Sequence, residues 1–144
     1  MGARTEVVKQ MFATSLKEYA SRSHLVEEAE IFEGCAIVVS EKLPDNSEVV
    51  AAQAANDLLT IEGVRASFVA VLQDDAVRIS ARSMGEINVQ LVMEKLGGGG
   101  HLTMAGAQLE DVTYEVARTK ILRAVSEYLS ENRNRKPPKD VESD

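Results

Sequence analysis

The sequence predicts an α/β domain, a small mixed β-sheet flanked by helices, and three features carry that reading. Ala36–Ser40 is a short run rich in β-branched residues, of the kind buried on both faces of a sheet. Val64–Leu72 and Ala76–Arg82 flank the polar turn Gln73-Asp74-Asp75 and read as a hairpin. Apolar residues at helical spacing recur before, between and after these runs, which sets helices around the strands.

Taken in order, residues 5–21 form an amphipathic helical pattern with Val8, Phe12, Leu16 and Tyr19 on one side. A second helical piece is expected over about 24–32, ended by Gly34. Together, residues 1–33 suit a connector to something upstream. After the first strand, Asp45 and Glu48 have capping-box spacing, and Val50, Ala54, Leu58 and Ile61 form an apolar stripe that Gly63 stops. In the second arm of the hairpin, Val77, Ile79 and Ala81 alternate with Arg78, Ser80 and Arg82, which predicts one core face and one polar face. Ser83 and Glu86 fit a capping box for a third helix whose buried side is Val89, Val92, Met93 and Leu96. A loop from Gly97 through Gly106 and a short strand at Ala107–Leu109 follow. The last helix, residues 112–131, carries Ala117, Ile121, Ala124, Val125 and Tyr128 on one face, and 132–144 read as a disordered tail.

Composition narrows the function. With 144 residues the chain has one domain's worth of core. A net charge of −7 argues against broad capture of nucleic acid or anionic lipid, so a phosphate ligand needs a local site. Aromatics are only 4%, which disfavours a stacking platform for long single strands. The lone Cys35 excludes an internal disulfide and a cysteine zinc site, and it fits a reducing compartment. No apolar stretch reaches the length of a membrane span, so the chain as given reads as soluble.

The chemistry concentrates between Arg82 and Gly106. A strand ends on Arg82, whose planar guanidinium matches phosphate oxygens, and the helix expected at Ser83 would offer unpaired N–H groups to an anion. By themselves these two are more often a solvated strand end and a plain cap. Gly97, Gly98, Gly99 and Gly100 shift the balance, because one glycine suffices to stop a helix. Three surplus glycines cost on the order of 2–3 kcal/mol of backbone entropy, so something is expected to approach that backbone closely. His101 follows directly and can donate to a phosphate or a base edge, whereas His24 reads as an ordinary surface residue. Asn88 is a weaker candidate for reading a base. Two histidines 77 positions apart, with no carboxylate–imidazole cluster, do not make a two-metal centre.

At Arg82-Ser83 and at Gly97–His101, continuing through Ala105-Gly106, the sequence resembles the DHH-associated domain, the C-terminal half of DHH-family phosphoesterases. The resemblance spans about residues 34–131. With Asn88-Val89-Gln90 ahead of the glycines, it looks most like membrane-anchored cyclic-di-AMP phosphodiesterases of Gram-positive bacteria. It implies that Arg82 and His101 contact phosphate, while Ser83, Asn88, Gly97–Gly100, Ala105 and Gly106 shape the pocket. It further implies two manganese ions held by an upstream DHH domain that this chain lacks, and no cofactor of its own. The expected ligand is cyclic-di-AMP or a related small nucleotide, not a long nucleic acid. The expected reaction of the whole enzyme is hydrolysis to the linear dinucleotide pApA, in a parent protein at the membrane with this domain cytoplasmic. The upstream DHH domain is then the natural partner, and a homodimer stays open. Alternatives are the same domain from an oligoribonuclease or 3′-phosphoadenosine-phosphate phosphatase, and a non-enzymatic interaction module.

Overall fold

The computed structural model of the chain describes residues 16–41 and 47–132. Its elements are α1 (helical over residues 16–28), β1 (Glu30–Phe32), β2 (Cys35–Glu41), α2 (Ser47–Leu58), β3 (Ala66–Gln73), β4 (Ala76–Ser83), α3 (Val89–Glu94), β5 (Gly99–Gly100), β6 (Met104–Glu110) and α4 (Tyr114–Asn132). The strands form one six-stranded sheet in the order β1-β2-β3-β4-β6-β5. Only β2 and β3 run parallel, joined by the α2 crossover, and the other pairs are antiparallel. The α/β class with a mixed sheet and flanking helices is therefore what the chain adopts.

Helices cover both faces of the sheet centre. On one face Ala36, Val38, Val69 and Val71 pack with Leu25 of α1 and with Val50, Ala54 and Leu58 of α2. On the other, Ile37, Val39, Phe68 and Ala70 meet Val89, Val92 and Met93 of α3 and Ile121 and Val125 of α4. This double cover explains why β2 lacks alternation, being buried from Cys35 to Ser40. In β4 the expected alternation holds, with Val77, Ile79 and Ala81 buried on the α3–α4 side. The expected faces of α2 and α4 also hold, apart from Ile61, which lies beyond the end of α2 and is exposed.

Several boundaries differ from expectation. Residues 16–28 are one uninterrupted helix, and 30–32 form a strand where a second helical piece was expected. The cause is the two-residue turn Glu33-Gly34, both at positive φ (49° and 84°), which folds β1 back on β2 and pairs Phe32 with Cys35. A helix does not open at Ser83, because the ladder with Ala66 carries β4 through that residue and α3 begins six residues later. The glycine loop is in part a strand, with β5 paired to a β6 that is longer than the Ala107–Leu109 piece. The pattern over residues 5–15, the Asp45 cap and the tail from 133 fall outside the described residues, and Asn132 still belongs to α4.

Cys35 is fully buried at the start of β2, and burial pushes its thiol pKa up to about 11. The native thiol is thus protonated at neutral pH and should resist alkylation until the chain unfolds, which iodoacetamide labelling across a urea series checks. The sign of the linkage follows. A folded value above the unfolded one favours the folded state below about pH 8.5 and withdraws that contribution as pH rises toward 11.

Candidate functional site

The face of the sheet that α2 covers over β2 and β3 continues onto β4, where α2 still reaches Arg78, and on to β6 and β5. Antiparallel register sets the side chains there in rows. Arg82 pairs with Met104, Ser80 with Gly106, Arg78 with Gln108, and Gly106 in turn with Gly99. The Gly99–Gly106 row is bare peptide. Arg78 is tied to Glu48 of α2 by an ion pair, which leaves Arg82 as the guanidinium of this face without a carboxylate partner among the described residues.

Arg82 is half-buried, and burial draws its pKa below the ordinary value, although a guanidinium stays charged at neutral pH. Its Nη1 donates to the Ala81 carbonyl at 2.9 Å. Its Nε is buried and finds no acceptor among the described residues. An unpaired buried donor costs about 1–3 kcal/mol, more when charged, so such a group marks a place where an acceptor belongs.

His101 opens the turn between β5 and β6 and is exposed. Its backbone N–H donates to the Met104 carbonyl at 2.7 Å, and Met104 is the ladder partner of Arg82. Two further bonds hold the turn, from Ser83 N–H to the Thr103 carbonyl and from Val89 N–H to the Leu102 carbonyl, both at 3.0 Å. The fold therefore brings Arg82 and His101, distant in sequence, to one end of the sheet.

Ser83 is buried beneath this end. Its hydroxyl donates to the Ile87 carbonyl at 2.6 Å and accepts the Gly85 N–H at 3.2 Å, so it holds the 84–88 loop and does not face outward. Asn88 is the N-cap of α3, with Oδ1 accepting from the Gln90 and Leu91 N–H groups at 3.1 and 3.3 Å. Those N–H groups are thereby used, and a six-residue helix capped from its own chain offers no anion site. Asn88→Ala should lower stability by about 1 kcal/mol while Asn88→Asp keeps it, as thermal denaturation of the two variants would show. Ala105 packs into the core on the opposite face.

The glycines divide by cause. Gly97 ends the α3 region at φ +84°, a conformation that favours glycine. A Cβ on Gly98 would lie 2.1 Å from the Gly106 carbonyl oxygen, and one on Gly100 would lie 2.5 Å from the Ala105 Cα. Packing of β6 thus accounts for both, and part of the expected surplus is internal. A Cβ on Gly106 would lie 2.9 Å from the Ile79 carbonyl oxygen. Gly99 has neither positive φ nor any atom within 4 Å of a Cβ, so the chain's own packing does not explain it.

Met104 shares the face and escaped the sequence reading, whereas the alternation in β4 had already placed Ser80 there. The signal was present, since Met104, Gly106 and Gln108 alternate with Ala105, Ala107 and Leu109 at period two. Among the described residues no group of three or more His, Cys, Asp or Glu side chains could hold a metal ion.

The chain is 46% identical over 130 residues to the cyclic-di-AMP phosphodiesterase PdeA of Listeria monocytogenes, covering 89% of this chain and 20% of that protein. It is 34% identical over 98 residues to the bifunctional oligoribonuclease and PAP phosphatase NrnA of Thermus thermophilus, covering 65% of this chain and 30% of that protein. The chain thus spans about a fifth of the length of the former and under a third of the latter. Among solved structures, an exopolyphosphatase-related protein from Bacteroides fragilis shares the fold with a TM-score of 0.63 at 17% identity, covering 81% of this chain and 35% of that one. Residues 36–131 match the DHHA1 domain, and the chain belongs to that family.

Proposed function

We propose that this chain is the substrate-binding half of a cyclic-di-AMP phosphodiesterase, and that it holds the dinucleotide on the β4–β6–β5 face with Arg82 and His101 toward phosphate. The main support is the buried Arg82 Nε without an acceptor, on a face where Gly99 leaves backbone open to an outside group. A phosphodiester supplies the acceptor oxygens, and a guanidinium fork meets them in a plane. The similarity to PdeA over most of the chain supports the cyclic dinucleotide as the ligand. Hydrolysis of the phosphodiester belongs to an upstream DHH half bearing two manganese ions. The chain's own part is to bind and orient: Arg82 neutralises phosphate charge, His101 donates a hydrogen bond, and Ser83 and Asn88 keep the neighbouring loops in place.

Calorimetric titration of the chain with cyclic-di-AMP, pApA and a short oligoribonucleotide tests this. Cyclic-di-AMP should bind best, and no turnover should occur with manganese added. Preference for the oligoribonucleotide would favour an NrnA-like substrate, and turnover by this chain alone would overturn the division of labour. Gly99→Ala adds a sharper check, because its Cβ meets nothing in the chain itself. It should leave the melting temperature unchanged and weaken cyclic-di-AMP, whereas unchanged affinity would remove Gly99 from the site.

A further inference from the structure

A groove of about 580 Å³ runs between α4 and β1, the edge strand at the far side of the sheet from β5. It opens on the face that α3 and α4 cover, opposite the face of Arg82. Phe32, Ile37 and Leu122 line it, and Ile31 at its rim is 57% exposed. The ion pair between Glu30 and Arg118 ties β1 to α4. Along the groove α4 presents Thr119, Leu122 and Ser126, and Leu129 continues that stripe beside Glu33. Charge on the exposed part of α4 is segregated along the helix. Lys120 and Arg123 come first, and Glu127 and Glu131 follow. Neither Arg123 nor Glu127 joins an ion pair among the described residues, although four positions separate them.

We infer that this groove receives α4 of a second copy of the chain, the two helices lying antiparallel about a two-fold axis at Ser126. A two-fold contact uses one patch twice, so the patch must complement itself. Charge decides the direction. A parallel partner sets Arg123 beside Arg123 and Glu127 beside Glu127. The antiparallel partner, crossing at Ser126, sets Arg123 beside Glu127 of the second copy, and symmetry makes that pair twice. The same register sets Leu122 beside Leu129 of the second copy on either side of the axis. Both leucines are part-exposed in the single chain, so this contact withdraws apolar surface from water. Serine at the crossing is small enough for the helices to approach closely. A net charge of −7 makes two copies repel, so they can meet only where cations face carboxylates. This stretch of α4 supplies both signs in the order that an antiparallel copy requires.

Sedimentation equilibrium of the 144-residue chain over a concentration series tests this. The unmodified chain should form a dimer. Arg123→Glu and Glu127→Arg each bring like charges together twice across the axis. Each should raise the dimer dissociation constant about tenfold. Combining the two reversals restores opposite charges, so the double variant should return to the original constant. Both positions are exposed, so melting temperatures at dilutions where every variant is monomeric should agree. A monomer at every concentration overturns the inference and leaves the groove to another segment or another protein. A dimer indifferent to the single reversals is built elsewhere, which overturns it as well. Weakening by both single variants with no recovery in the double one overturns the antiparallel pairing.

Discussion

Replacing Arg82 by methionine is expected to weaken cyclic-di-AMP binding by about ten- to hundredfold while leaving the melting temperature equal or higher. Each charge-assisted hydrogen bond to a phosphate oxygen contributes roughly 1.5–3 kcal/mol, so losing one accounts for that range. The stability side follows from the Nε that is buried without an acceptor. Methionine keeps an apolar stem against the sheet and removes the orphan donor, so the ligand-free protein gives up little. Arg82→Lys should fall between, because it keeps the charge but not the planar fork. Titration beside differential scanning calorimetry separates the two effects. Full affinity in Arg82→Met would remove the central residue of the site.

Gly98→Ala is expected to damage stability and binding together. Its Cβ would lie 2.1 Å from the Gly106 oxygen and 2.6 Å from the Ala107 Cβ, and both belong to β6. Relief requires β5 and β6 to part, and overpacking of this kind costs about 1–3 kcal/mol or more. That is a substantial share of the 5–15 kcal/mol that typically holds a domain together. Because the β5–β6 pairing positions His101, displacement should also reduce nucleotide affinity. The neighbouring Gly99→Ala meets no such obstacle, so a fall in melting temperature at 98 but not at 99 is the pattern to expect. Equal melting temperatures would show that the two strands do not approach as closely as the register implies.

Much of this fold was legible because burial writes itself into side-chain pattern. Cys35–Ser40 lost alternation under helices on both faces, and Ala76–Ser83 kept it where one face is open. The Arg82 end of β4 and the glycine–histidine segment were legible for the same reason, as polar and side-chain-free positions at the end of an apolar element. What escaped depends on partners remote in sequence. Glycine has no side chain to alternate, so β5 could not be distinguished from a loop, and the need for Gly98 and Gly100 lies in β6. Ser83 and Asn88 are equally plausible caps by type. The choice falls to Asn88 because Ser83 is still paired with Ala66 and buried. After β1, Glu33 at positive φ is an unusual partner for Gly34, and helical periodicity over 24–32 concealed the turn.

Both rims of the sheet are very short, three residues in β1 and two in β5. A free rim offers unpaired amides to any other extended chain, and a longer one becomes a template for stacking between molecules. Here each rim can take only a few such bonds, and one is made of glycine, which binds an incoming strand with no side-chain contact. Growth by strand addition onto β1 or β5 themselves is therefore poorly seeded.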